Sequence, residues 1–359
     1  MTSTRTRPAE AVEDVLCRFL ADRRAEAAAI GPACAEAAGE LQAYVLRGGK
    51  RMRPTFAWLG WLGAGGDERS TDADAVLRIG AALELFHASA LVHDDVIDAS
   101  ATRRGAPAAH VLFAGRHRAR CWTRSAQQYG TGAAILVGDL AQSWADDLIH
   151  TCGLPPAALA RVAPVWSALR TEVLHGQLLD LTAEASGDEN PDTPLRVNEY
   201  KTASYTVARP LHIGAAIAGA DAALIAAYRA FGHDIGVAFQ LRDDLLGVFG
   251  TEQETGKPSG DDLIQGKRTL LFAVALANAD DQNPGAAKFL RTRIGTKITD
   301  DELATMRTLI TDVGAVDHIE RDIARRTRRA LARLRGSSAS THAKDELTAL
   351  AVRATQRTS

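Results

Sequence analysis

TDADAVLRIGAALELFHASALVHDDVID, residues 71–98, repeats apolar side chains at three- and four-residue steps through Val76, Ile79, Leu83, Phe86 and Ala90 and closes on three aspartates. That period belongs to a helix rather than to a strand, which would alternate, and a segment of this length makes about seven turns. Thr71 and Asp74 have the spacing of a capping box at its start. At its end Asp94 and Asp98 lie four apart and Asp95 and Asp98 three apart, so the three carboxylates project to one side. They repel one another and oppose the helix dipole, which makes the arrangement costly without a cation. Hard oxygen ligands so placed suit Mg²⁺ bridging to a phosphate. A solvated acidic helix end would look the same if the cluster stood alone.

The same periodicity runs through almost every other segment, and aromatic residues make up only 5% of the chain. Alternating runs bounded by turn residues are hard to find, so the expected fold is all-α, a single large helical bundle. Breaks at 63–70, 104–107, 185–194, 250–260 and 336–341 are each short enough for a helix connection or a lid. One domain over residues 1–359 is the simpler organisation. Residues 1–8 are expected to form a frayed tail, and 336–342 a loop before a C-terminal helix.

Composition narrows the function classes. Apolar residues at 46% and charged residues at 24% of the 359 describe a folded globular chain. Lys and Arg number 42 against 44 Asp and Glu, so nothing in the charge balance argues for nucleic acid or an anionic membrane surface. Cys17, Cys34, Cys121 and Cys152 form no CxxC pair, which argues against a zinc site or a secreted disulfide framework and leaves them as reduced, buried thiols. The N-terminus has no signal-peptide core, and the apolar stretch from Ile213 to Phe231 is broken by Asp221 and Arg229. The expectation is a cytoplasmic protein with no membrane span.

A second acidic cluster decides between the two readings of the first. FGHDIGVAFQLRDDLLGVFG, beginning at Phe231, is again an apolar helical run that ends in adjacent aspartates, Asp243 and Asp244, with Gln240 one turn earlier on the same face. Two helices that each carry aspartates near one end resemble the carboxylate pairs with which helix bundles hold metal ions. Basic residues lie near both in sequence: Lys50, Arg51 and Arg53 after Gly48 and Gly49, Arg103 and Arg104 just past the first cluster, then Lys201, Lys257 and Lys267. Such forks and point charges are what diphosphate oxygens need.

Taken in order, GGKRMRP (48–54), HDDVID (93–98), RRG (103–105), KTASYT (201–206), FQLRDD (239–244) and GKRT (266–269) resemble the trans-prenyl diphosphate synthases over residues 45–270, a combination more specific than any single motif. The resemblance implies a helical bundle around a deep central cavity, a homodimer, and Mg²⁺, three ions per active site, between two aspartate-rich motifs. It assigns metal binding to Asp94, Asp95 and Asp98 and to Asp243 and Asp244, with Arg103 and Lys201 beside them as catalytic residues. Arg103, Lys201, Thr202, Gln240, Lys257 and Lys267 would contact the allylic diphosphate, and Lys50, Arg53, His87 and Arg104 the isopentenyl diphosphate. A histidine in an apolar helix is ordinarily a core residue, so the role of His87 rests on the resemblance alone. The chain departs from the family at Gly247, where many members carry a third aspartate.

The implied chemistry is electrostatic: metal and basic residues stabilise the departing diphosphate, an apolar cavity shields the allylic cation, and isopentenyl diphosphate attacks it. The segment 255–269, TGKPSGDDLIQGKRT, has the composition of a mobile lid. The growing product would run back along residues 71–98, with Ser89 and Ala90 one turn before Asp94 and Phe86 a turn further as the floor. Both nearer residues are small, and one turn of about 5.4 Å matches one isoprene unit, which points to geranylgeranyl diphosphate. Two alternatives stand beside this reading. A class I terpene cyclase would carry an Asn, Ser or Thr, Glu triad, but from Asn198 the register gives Thr202 and Thr206 and no Glu. A non-catalytic subunit of a heteromeric synthase would be expected to have lost its aspartates.

Overall fold

The computed structural model describes residues 8–251 and 259–356. Helices dominate, as the periodicity requires. The sheet present is a hairpin of β1 (Thr102–Arg103) and β2 (Ala106–Pro107), antiparallel with Thr102 opposite Pro107. Strands of two residues are too short to leave an alternating pattern, and sequence reasoning missed them.

Two compact units emerge. One comprises the chain up to Trp58 and Gly66–Pro155; the other takes Leu59–Gly65 and everything from Pro156 onward. The first holds α1 (Pro8–Ile30), α2 (Pro32–Leu46), α4 (Asp72–Ile97), the hairpin, α5 (Ala109–Ala119) and α6 (Ala126–His150), and α3 (Met52–Gly63) begins in it. At its centre is α4, packed against α1, α2, α5 and α6. Fifteen of its residues are buried, on every face, which marks a core helix rather than an amphipathic surface one. Close packing depends on small residues: a Cβ on Gly80 would meet Val12 and Pro54 at 3.0 and 3.2 Å, and one on Gly138 of α6 would strike the His93 ring. Among described residues α4 alone is long and apolar enough to cross a membrane, yet 72% of its most apolar window is buried in protein. The stretch Ile213 to Phe231, expected to be the most apolar, is instead divided between two helices.

The second unit is built on α7 (Pro156–Ser186), α8 (Asp192–Val197), a π-helix (Asn198–Ala208), α9 (Arg209–Ala218), α10 (Ala222–Phe249), α11 (Asp261–Gln265), α12 (Leu270–Gln282), α13 (Pro284–Arg293), α14 (Asp300–Asp312), α15 (Ala315–Arg335) and α16 (Thr341–Thr355). Its centre is α10, which meets the π-helix, α9, α11, α12, α15 and α16. Local chemistry sets many of the ends. Asp221 accepts a hydrogen bond from the Leu224 amide at 2.8 Å to start α10, Gly219 at φ 73° closes α9, and Thr299 with Glu302 forms a capping box on α14. Thr71 does not cap α4 as its spacing suggested, because its own φ and ψ, −63° and −22°, are already helical. The C-terminal helix starts at Thr341, inside the loop expected over 336–342, and Pro8 belongs to α1 rather than to a tail. Three of the four thiols, Cys17, Cys34 and Cys121, are exposed instead of buried.

Candidate active site

In the first unit α4 ends with its aspartates in the expected place: Asp98 is the C-cap, its amide donating to the Asp94 carbonyl at 2.8 Å. The hairpin then reverses the chain through Arg104 and Gly105, at φ 52° and 72°, and so returns Arg103 to the carboxylates. Arg103 donates from Nε to Asp95 Oδ1 at 2.7 Å and from Nη2 to Asp94 Oδ2 at 3.1 Å. Asp95 is fully buried and its Oδ2 has no hydrogen-bond partner. Burial pushes its carboxyl pKa up, more than the Arg103 bond and charge pull it down.

Next to this cluster is a group of basic residues. Gly48 and Arg51 have φ of 101° and 46°, and the turn they make exposes the Gly48 carbonyl to Arg104 Nη1 at 2.5 Å. A side chain at Gly49 would begin 3.4 Å from the Arg104 guanidinium. Arg51 separates from its neighbours: buried, it binds Glu84 at 2.7 Å and the Val45 carbonyl at 2.9 Å, tying the turn to α4. Lys50 stays exposed and Arg53 half-buried. His87 on α4 is held well below the usual imidazole range by burial first, then by the charges of Arg53, Arg104, Arg103 and Arg51, so it is neutral at pH 7. Sequence reasoning missed Tyr44, whose buried hydroxyl lacks a partner. Burial, and then the Asp95 charge, raise its pKa. Phe86 and Ser89 are buried and Ala90 half-buried.

In the second unit Asp243 and Asp244 lie near the end of α10, with Asp244 only 4% exposed. Gln240 Nε2 donates to Asp244 Oδ1 at 2.8 Å, and Thr202 Oγ1 donates to Gln240 Oε1 at 2.9 Å. Lys201 donates to Asp180 of α7 at 2.6 Å. Both Lys201 and Thr202 ride on the π-helix, a winding often found at functional sites. Glycines seat it: a Cβ on Gly176 of α7 would come within 2.5 Å of the Lys201 amide, one on Gly232 of α10 within 2.5 Å of the Ala208 Cα, and one on Gly236 would collide with Ala203.

Asp244 carries the largest carboxyl shift of the site. Burial first and the Asp262 charge second push it up to about 8, against the Gln240 bond, while Asp243 adds to the rise and Lys267 opposes it. Lys267 stands 3.9 Å from Asp262. Lys257 lies outside the described residues, as does the part of the expected lid before Ser259. Asp180, Asp262 and the π-helix were missed. Gly176, within reach of Lys201 across two helices, has no local sequence signature, but Asp180 one turn after it and the second aspartate of SGDDL were visible acids near a basic motif.

Both clusters contain a buried carboxylate oxygen without a hydrogen-bond partner, Asp95 Oδ2 and Asp244 Oδ2. Carboxyl oxygens in that position fit Mg²⁺. Among the described residues no three His, Cys, Asp or Glu side chains converge into a finished cage, as suits an ion that keeps waters and takes phosphate oxygens as ligands.

Comparison with known proteins agrees with this chemistry. The polyprenyl synthetase family model matches residues 36–310. A geranylfarnesyl diphosphate synthase of Aeropyrum pernix is 32% identical over 76% of this chain and 79% of its own length. A geranylgeranyl diphosphate synthase of Methanosarcina mazei is 32% identical over 76% and 75%. The crystal structure of a Corynebacterium glutamicum geranylgeranyl pyrophosphate synthase, complexed with isoprenyl diphosphate and magnesium, superposes with a TM-score of 0.94 at 44% identity, covering 98% of each chain. Motifs, helical architecture and relatives lead to one placement: the chain belongs to the polyprenyl synthetase family of transferases.

Proposed function

We propose that the chain works as one synthase domain that condenses isopentenyl diphosphate with an allylic diphosphate to make an all-trans, medium-chain prenyl diphosphate, geranylgeranyl diphosphate. The observation that carries this reading is the set of basic residues, Arg53 and Arg104 among them, whose charges act on His87 of α4, the helix whose last turn bears Asp94 and Asp95 bound to Arg103. An enzyme that only ionises one allylic diphosphate has no use for that second group of cations.

Asp94, Asp95 and Asp98, and with them Asp243 and Asp244, would hold Mg²⁺, three ions in all. The metal, when bound, supplies positive charge against the diphosphate oxygens. Arg103, Lys201, Thr202, Gln240, Lys267 and, by its sequence position, Lys257 bind the allylic diphosphate and stabilise the charge it gains on leaving. Lys50, Arg53 and Arg104 bind isopentenyl diphosphate, with neutral His87 donating a hydrogen bond. The apolar wall of α4 keeps water from the allylic cation, and Phe86 limits the chain length. The chain acts in the cytoplasm as a homodimer. Exposed Leu174 and Leu178 on α7 support an apolar partner surface.

Purified protein with Mg²⁺ and isopentenyl diphosphate, primed separately with dimethylallyl, geranyl or farnesyl diphosphate, tests the reading directly. A twenty-carbon product, lost in Asp94→Ala, is expected. A cyclic hydrocarbon from geranylgeranyl diphosphate alone, or no condensation with any primer, would overturn it in favour of a cyclase or a non-catalytic subunit.

A further inference from the structure

We propose that Glu84 is a positioning residue for isopentenyl diphosphate: by fixing the buried guanidinium of Arg51, it holds the turn at 48–53 in a strained shape that sets Lys50, Arg53 and Arg104 for the diphosphate. The inference rests on the reading of those three cations as the isopentenyl diphosphate contacts. It concerns what keeps them in place.

Three helices meet at Arg51. Its carbonyl accepts from the Thr55 amide at 3.2 Å and from the Thr55 hydroxyl at 2.8 Å, which opens α3. Its guanidinium donates to the Val45 carbonyl, near the end of α2, at 2.9 Å and to Glu84 of α4 at 2.7 Å. Both side chains of that ion pair are 4% exposed, whereas Glu13 of α1, 3.8 Å from the same guanidinium, is 46% exposed. Each buried charge therefore depends on the other for its balance. Lys50 immediately precedes Arg51, Arg53 follows it in the first turn of α3, and His87 stands one turn after Glu84 on the same side of α4.

The backbone shows what this pair works against. Arg51 has φ 46°, in the left-handed region that a residue with a long side chain rarely enters. Glycine takes such angles freely, as Gly48 does at 101°, but an arginine persists there only where its surroundings over-determine it. Here Glu84 and Val45 hold the side chain while Thr55 holds the carbonyl. Without Glu84 the turn is free to relax, and it carries with it Lys50, Arg53 and the Gly48 carbonyl to which Arg104 donates. Asp94, Asp95 and Arg103 are bound to one another at the far end of α4, so the loss should fall on one substrate rather than on both.

The test is steady-state kinetics of the full-length protein with Mg²⁺, varying isopentenyl diphosphate and geranyl diphosphate in turn. Glu84→Gln keeps the shape of the side chain and removes its charge; it should raise the KM for isopentenyl diphosphate on the order of tenfold or more and leave the KM for geranyl diphosphate within about threefold. Breaking a buried pair can also unfold a protein, so a second variant replaces the pair whole. Arg51→Met combined with Glu84→Leu fills the space with apolar side chains and should keep a urea midpoint close to that of the unmodified protein, yet its KM for isopentenyl diphosphate should still be raised, because packing is restored and the turn is not. A double variant with an unchanged KM for isopentenyl diphosphate, or Glu84→Gln with both constants raised alike, overturns the inference. So does failure of both variants to fold, which would make the pair a support of the fold alone. Lys50→Ala is the reference. If it raises the KM for isopentenyl diphosphate while neither Glu84 variant does, the inference falls and the assignment of the cations stands. If Lys50→Ala leaves that constant unchanged, the assignment fails and takes the inference with it.

Discussion

In the first acidic cluster a hairpin brings Arg103 back onto Asp94 and Asp95, whereas in the second the group that meets Asp244 is the neutral amide of Gln240. Both clusters bury a carboxylate, and both leave one of its oxygens without a partner. They differ in how charge is balanced before any metal arrives. At Asp95 a guanidinium already offsets much of the cost of burial. At Asp244 the pKa rises to about 8, with Asp262 and Asp243 adding to the effect of burial. With Mg²⁺ bound as proposed, the first cluster would already be balanced by Arg103 and the second would gain most of its charge balance from the ion. Mg²⁺ should therefore stabilise the protein chiefly through the second cluster.

The coarsest way to break the comparison is to remove one proposed metal carboxylate from each cluster. Asp94→Ala and Asp243→Ala should each lower kcat by on the order of a thousandfold, measured with isopentenyl and geranyl diphosphates. A loss confined to one would mean that the clusters do not serve the same step. Next in size is the cost of the guanidinium. Arg103→Ala leaves Asp95 buried beside Asp94 without its ion pair, and should destabilise the metal-free protein by about 3 kcal/mol in urea unfolding. Asp244→Asn should do the reverse, raising the metal-free melting temperature and abolishing much of the upward shift that Mg²⁺ produces.

What could be read from the sequence divides along the same line. The helix α4, its end at the aspartates and the pairing of Gln240 with Asp244 follow from local spacing, because a helix places residues three and four apart together whatever surrounds it. The hairpin that delivers Arg103 and the π-helix that delivers Lys201 do not. Strands of two residues are too short for a pattern, and Asn198–Ala208 is wound as π where Gly176, Gly232 and Gly236 allow neighbouring backbones to approach. Arg51 was grouped with Lys50 and Arg53 by sequence, but its partner Glu84 lies 33 residues away, a separation no window reveals. Asp180 and Asp262 are plain acids in the sequence, but no periodicity or motif of their own marks either one.

Titration sharpens the comparison further. The folded pKa of Asp244, about 8, lies above its unfolded value, so its neutral form is favoured by folding. Its contribution to stability is complete below the unfolded pKa of about 4 and is lost as pH rises through the folded one. Metal-free protein should thus lose stability between pH 4 and 8, by urea midpoints, and Asp244→Asn should flatten that part of the curve. An unchanged slope in Asp244→Asn would place the titrating group elsewhere.

The smallest expected effect concerns product rather than rate. Only the first cluster shares its helix with the proposed chain-length floor. Phe86→Ala should lengthen the product and Ala90→Phe shorten it, each by about one isoprene unit, since one helical turn is about 5.4 Å. Chromatography of the dephosphorylated alcohols would show it, and the same product from both variants would remove α4 as the ruler.

The π-helix makes this enzyme sensitive to insertion and deletion in a way its loops are not. A π-helix closes its hydrogen bonds over five residues rather than four, so losing or gaining one residue within 198–208 would rotate whatever precedes the change relative to whatever follows it. A change before Lys201 would take it from Asp180, and a change after Thr202 would take Thr202 from Gln240. No point substitution elsewhere restores either, because the error lies in phase rather than in any side chain. Among sequences descended from a common ancestor with this one, the interval between Val197 and Arg209 should keep its length even where its letters change.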